Sequence, residues 1–185
     1  MADQIYVRSS FHPKNDKYKY EIIIDPKMSF GTGHSAPTAL MLKAMLGIDF
    51  KNKRVLDMGC GTSILGILAS KLGAKEVKGI DIDEWAINNS NENIDLNNIK
   101  NLKVFLGDVS LLKDFGKFDI ILANINLNVL LNDIPHYQRK LNDAGILVLS
   151  GFYDNDFKEI QDKAAKCAFQ CVAHYIQEKW VSACF

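Results

Sequence analysis

Between residues 54 and 150, compact apolar runs alternate with longer stretches whose apolar side chains recur at helical spacing. The runs at 54–58, 77–81, 102–106, 118–123 and 146–150 are predominantly apolar without strict alternation, the pattern of strands covered on both faces. Between them, 62–72 sets Ile64, Leu65, Leu68 and Leu72 on one helical stripe before Gly73 stops it, and 84–97 opens behind Asp83, a candidate N-cap. Such alternation predicts crossover units on a parallel sheet. Beyond Ser150, a polar turn at 153–156 precedes a helix to about residue 168. The segments 170–176 and 179–185 then lie too close together for a helical crossover, so they pair as an antiparallel hairpin. The predicted fold is therefore α/β: a doubly wound, mostly parallel seven-stranded sheet with an antiparallel C-terminal hairpin strand. Upstream, 18–24 reads as an extra strand and 36–46 as a helix entered through Pro37. The glycine-rich, aromatic stretch Phe30-Gly31-Thr32-Gly33-His34 between them is unusual for a simple connector.

Composition narrows the class. A chain of 185 residues, 48% hydrophobic and 24% charged, is one globular domain and excludes disorder, collagen and coiled coil. Equal counts of 22 basic and 22 acidic residues argue against a broad basic face for nucleic acid. The most apolar stretch, 120–131, carries Asn124, Asn126 and Asn128 and cannot span a bilayer, and no basic-then-apolar leader opens the chain, so the cytoplasm is the expected address. The cysteines show no C-x-x-C pair, and His12, His136 and His174 no ligand spacing, so neither a metal site nor a disulfide framework is expected. Cys167 and Cys171 are expected to pack on a helix, and Trp85 and Trp180 to be buried aromatics.

Candidate chemistry collects at successive strand ends. Asp57-Met58-Gly59-Cys60-Gly61 runs from a strand straight into a helix, with glycines that admit a ligand to the backbone and a helix N-terminus that offers amide donors. The lesser alternative is a tight strand-to-helix turn with no ligand, and Ile64 stands where a nicotinamide fingerprint needs a third glycine. Asp81, twenty residues beyond Gly61, is suited to the vicinal hydroxyls of a ribose, while Asp83 fits a helix cap. Gly107-Asp108 after the third strand suits an exocyclic adenine amine or is a plain turn, and Asn124-Ile125-Asn126 after the fourth offers a carboxamide to an amine or merely caps a helix. The first three of these, at three successive strand ends along one sheet edge, make coincidence much less probable than any of them alone.

Together these segments resemble class I methyltransferases, and with residues 24–34 and the closing Glu178-Lys179-Trp180 they resemble the ribosomal protein L11 methyltransferase (PrmA) family over nearly the whole chain. The resemblance implies a Rossmann-like fold that binds S-adenosylmethionine. Gly59 and Gly61 would lie in the methionine turn, Asp81 on the ribose, Asp108 and Val109 beside the adenine, and Thr38 at the closure of the pocket, with Phe30 touching ligand. Asn124 would face both the methyl group and the incoming amine, as the catalytic residue. The family trimethylates lysine side chains and the N-terminal amine of its ribosomal protein, a component of the large-subunit stalk base, by in-line displacement without a metal. A monomer and no direct nucleic-acid contact are expected.

Three departures stand out. The loop reads His34-Ser35-Ala36-Pro37-Thr38 where the family has His-His-x-Thr-Thr, and the bend continues Thr62-Ser63-Ile64-Leu65 instead of Thr-Gly-Ile-Leu, a change expected to be mild. The family's N-terminal substrate-recognition domain has no counterpart, so residues 1–17 are read as a linker or extension and 18–185 as the methyltransferase domain. A non-catalytic cofactor-binding module, or a different amine or small-molecule acceptor, are the competing readings. The intact acidic and glycine positions argue against the first, and the lack of an aromatic ring after Asn124 argues against a flipped base.

Overall fold

The computed structural model describes residues 4–25 and 35–185. Strands β1 (Ile5–Arg8) and β2 (Tyr20–Ile23) pair in parallel as a separate two-stranded sheet. The main sheet holds β3 (Arg54–Met58), β4 (Glu76–Asp81), β5 (Leu102–Leu106), β6 (Phe118–Asn124), β7 (Leu141–Tyr153), β8 (Ala173–Gln177) and β9 (Trp180–Cys184), in the order β5-β4-β3-β6-β7-β9-β8. Only β9 is reversed within this sheet. The helices are α1 (Ala36–Met45), α2 (Ile64–Lys71), α3 (Glu84–Leu96), α4 (Leu127–Lys140) and α5 (Phe157–Lys166).

Consecutive strand residues point to opposite faces, so Val55 packs into one core and Leu56 into the other. The first core gathers Met41 of α1, Ile67 and Leu68 of α2 and Ile94 of α3, together with Ile5, Val7, Ile22 and Ile24. The segment read as a linker thus contributes a buried strand, and the extra strand at 18–24 joins β1 rather than the main sheet. The second core gathers Leu130, Ile134 and Tyr137 of α4 and Ile160 of α5. Apolar cover on both faces is what the uninterrupted apolar strand runs require.

Some boundaries differ from the pattern for local reasons. Strand β7 is longer at both ends than 146–150, because Leu141 pairs with Phe118 ahead of one irregularity and Phe152 and Tyr153 pair with β9 beyond another. Helix α5 stops at Lys166, where Cys167 caps it and Ala168 turns left-handed at φ 62°. Cys167 and Cys171 therefore lie past the helix. The hairpin closes through Glu178 and Lys179, both left-handed, which matches the twist of the strands. All four cysteines are free thiols.

The chain runs from β3 outward to β4 and β5, then returns to β6 on the other side of β3. That reversal opens a crevice at the carboxyl ends of β3 and β6, where Met58 and Ala123 are register partners.

Candidate functional site

Gly59 and Gly61 follow β3 with φ of +68° and +55°, conformations that a side chain would strain. At Gly59 space is as decisive as φ, since a Cβ would collide with the Ile125 side chain. The backbone of the bend is fixed to β4: the N–H groups of Gly59 and Cys60 both donate to the Ile80 carbonyl, at 2.8 and 3.0 Å. Gly61 N–H donates to Asp81 Oδ2 at 2.8 Å, Ser63 N–H to the Cys60 carbonyl at 2.7 Å and Gly66 N–H to Asp57 Oδ2 at 2.9 Å. The expected supply of free amide donors is corrected to this extent, because these five are spent on holding the turn. What the bend offers a ligand is a backbone held in one conformation, with Ile125 filling the side-chain position at Gly59.

Asp57 is buried, and its Oδ1 has no hydrogen-bond partner among the described residues. Burial pushes its carboxyl up to about 7 against the opposing pull of the Gly66 amide, with Asp81 adding to the rise.

Asp81, at the end of β4, accepts from Gly61 N–H through Oδ2 and from Asp83 N–H at 3.0 Å through Oδ1. A carboxylate has about four acceptor positions, so capacity for two hydroxyl donors remains. Asp83 takes the capping role, accepting from Trp85 N–H at 2.9 Å. Asp108 is exposed and caps the 3-10 turn Val109–Asp114 through Ser110 N–H at 2.9 Å. Its hydrogen bonds to Ser110 hold the carboxyl below the usual range. Gly107 N–H donates to the Asp81 carbonyl at 2.8 Å, which ties the Asp108–Val109 turn to the ribose candidate.

Across the crevice, Asn124 Nδ2 donates to Thr38 Oγ1 at 3.1 Å, and Ser35 Oγ donates to the same Thr38 oxygen at 2.9 Å. Thr38 is buried in the first turn of α1, although Asn124 lies at the end of β6. Asn126 takes the capping role on α4, accepting from Val129 N–H at 3.1 Å. Phe30 lies outside the described residues.

An apolar group beside Asp81 was missing from the sequence reading. Ile82 is 78% exposed, Trp85 67%, and Leu106, the register partner of Asp81, 53%. Trp85 is thus corrected from a buried aromatic to a surface one. Position was the available signal: Ile82 and Trp85 follow the strand's last residue and precede or open a helix, outside either core face. Trp180 is half-buried and packs against Tyr153 with ring centroids 4.1 Å apart and planes tilted by 35°.

Ser63 also differs from its expected mild role. It caps α2 at φ +60°, a left-handed conformation costly to a residue with a Cβ. Its hydroxyl donates to Ser90 Oγ at 2.8 Å.

A doubly wound seven-stranded sheet with one reversed strand, whose glycine bend, acidic strand end and carboxamide strand end border the switch point, is the class I methyltransferase architecture. The sequence profile described as ribosomal protein L11 methyltransferase (PrmA) matches residues 1–185, and the chain belongs to that family. It is 46% identical over 185 residues to the ribosomal protein L11 methyltransferase of Phocaeicola vulgatus, covering 100% of this chain and 66% of that protein. To the protein of the same name from Porphyromonas gingivalis it is 52% identical over 156 residues, covering 84% and 54%. The chain thus spans less than two thirds of the length of these relatives. The crystal structure of ribosomal protein L11 methylase from Lactobacillus delbrueckii subsp. bulgaricus superposes with a TM-score of 0.87 at 30% identity, covering 98% of this chain and 93% of that one.

Proposed function

We propose that this chain carries the catalytic part of an S-adenosylmethionine-dependent methyltransferase that modifies amino groups, lysine side chains and the N-terminal amine, of ribosomal protein L11 at the stalk base of the large subunit. The carrying observation is the Asn124 carboxamide, tethered through Nδ2 to Thr38, next in the chain to Ile125, which packs against Gly59 of the bend. Its fixed nitrogen leaves Oδ1 to accept from an incoming amine and to aim the nitrogen lone pair.

The residues present fit the cofactor. Gly59 and Gly61 hold the bend in one left-handed turn fixed to β4, Asp81 has acceptor capacity for a ribose, and the Asp108–Val109 turn beside it is suited to the adenine edge. The bound cofactor would supply an electrophilic sulfonium methyl. The protein's work is then positioning, with the amine held neutral at the moment of attack. On this reading residues 18–185 form the methyltransferase domain, joined by β1 from the segment 1–17, whose Ile5 and Val7 lie in its first core, and substrate capture relies on the additional part of the longer relatives. The enzyme acts as a cytoplasmic monomer on a protein, without direct contact to nucleic acid. Among the described residues, no helix is long and apolar enough to cross a membrane.

Calorimetric titration with S-adenosylmethionine, S-adenosylhomocysteine and NAD tests the site, and methyl incorporation into L11 tests the acceptor. Binding of both adenosyl ligands and not NAD is expected. No adenosyl binding would overturn the reading, and methylation of other amines but never L11 would overturn the substrate.

A further inference from the structure

Helix α3 and its C-terminal cap carry Asn89, Asn93 and Asn97 at intervals of four, with Ser90 beside them, on one buried stripe. Polar side chains of this kind compete with helical backbone unless they have partners elsewhere, and here they have. Asn97 brackets Ile23, donating to its carbonyl at 2.6 Å and accepting from its N–H at 3.0 Å. Asn93 accepts from Asp25 N–H at 3.0 Å, and Asn89 donates to the Asp25 carbonyl at 2.9 Å. The upper half of the stripe also reaches the glycine bend: Ser90 Oγ donates to the Gly61 carbonyl at 2.7 Å and Asn93 Nδ2 to the Thr62 carbonyl at 3.1 Å.

Gly61 is therefore held on both sides, its N–H by the Asp81 carboxylate and its carbonyl by Ser90. Two consecutive carbonyls of the bend are turned into α3, and α3 itself begins three residues after Asp81. We infer that Ser90 and Asn93 are positioning residues that fix the glycine bend relative to Asp81, so that the two halves of the cofactor site keep one geometry. The inference rests on the proposed cofactor reading. Without these donors, a glycine peptide with little side-chain restraint gains freedom to rotate, and ligand binding must then order it. Asn97 is the internal comparison, because it shares the face and the burial, while its side-chain hydrogen bonds among the described residues go to Ile23 and Asn93.

The test compares S-adenosylhomocysteine affinity by calorimetry with thermal unfolding for Ser90→Ala, Asn93→Ala, Asn93→Asp and Asn97→Ala. All four lower the melting temperature. Ser90→Ala and both Asn93 variants are expected to weaken binding by about tenfold, one hydrogen bond's worth, while Asn97→Ala stays within about twofold. Asn93→Asp keeps the acceptor for Asp25 and loses the donor to Thr62, so its weakening isolates the bend. Affinity that is unchanged in the Ser90 and Asn93 variants, or that falls equally in Asn97→Ala, overturns the inference. Should Asn93→Ala not fold, Ser90→Ala carries the same decision with the removal of one oxygen. A parent chain that binds no adenosyl ligand overturns the functional reading, and this one with it.

Discussion

The Asn124 carboxamide and the Thr38 hydroxyl meet across 3.1 Å although 86 residues separate them, joining the end of β6 to the first turn of α1. Thr38 Oγ1 receives a second hydrogen bond from Ser35, so the oxygen that orients Asn124 is itself oriented. Neither contact crosses the glycine bend, which makes the acceptor side of the crevice separable from the cofactor side.

Separability gives a kinetic expectation. Asn124→Ala should lower kcat by about a hundredfold, the scale of losing an orienting contact at the reacting amine, with S-adenosylmethionine affinity changed less than about threefold. Thr38→Val should lower kcat by a smaller factor in the same pattern, and the double variant should be no worse than Asn124→Ala alone, since Thr38 acts through Asn124. Steady-state kinetics with calorimetry decide it; multiplicative losses would make the two residues independent.

For Asp81 the expected loss is in binding. Asp81→Ala removes the candidate ribose acceptor and also frees the amides of Gly61 and Asp83. The cost is about 1.5–3 kcal/mol in S-adenosylmethionine affinity, or more if the bend relaxes. Asp81→Asn keeps one acceptor oxygen and should fall between parent and Asp81→Ala. Calorimetric affinity of Asp81→Ala equal to the parent's would remove Asp81 from the ribose.

The left-handed Ser63 separates strain from hydrogen bonding. Ser63→Ala keeps the left-handed backbone and loses the bond to Ser90, so urea unfolding should show a loss of about 1 kcal/mol or more. Ser63→Gly loses the same bond and relieves about 1–2 kcal/mol of left-handed strain, so it should come out near the parent or above it. Equal stabilities for the two variants would mean that φ at 63 is not left-handed in solution.

The parts of this architecture that were legible in the sequence are those that burial imposes locally. Strands β3 and β5 fall where their apolar runs lie, and the cap at Asp83 fixed the start of α3. The short gap after Ile176 gave the hairpin. Strand β1 was not legible, since four residues that pair only with β2 carry too short a pattern. The role of Asn93 and Asn97 was not legible, because their partners, Ile23, Asp25 and Thr62, are 31 to 74 residues away in sequence. Asp57, Asp81 and Asn124 were legible as a set because three crossover units deliver three strand ends to one edge. The hydrogen bonding of the bend onto Ile80 and Asp81 depends on strand register and was not.

Buried Asp57 makes stability depend on pH in the direction opposite to a salt-bridged carboxylate. Its ordinary value is 3.8 and burial pushes it up to about 7, so between those limits the unfolded chain gives up a proton that the folded chain keeps. Its contribution to stability is complete below about pH 4, declines as pH rises through that window, and levels off above about pH 7. The interval corresponds to roughly 4 kcal/mol as an upper bound. Asp57→Asn cannot ionise, and its carboxamide oxygen still accepts from Gly66 N–H. Any cost of placing an amide nitrogen where Oδ1 stands is the same at every pH. Urea unfolding of both proteins from pH 4 to 8 should therefore show the difference moving steadily in favour of Asp57→Asn up to about pH 7 and then staying constant. Parallel profiles would mean that Asp57 is ionised in the folded protein throughout, with a counter-charge or solvent satisfying Oδ1.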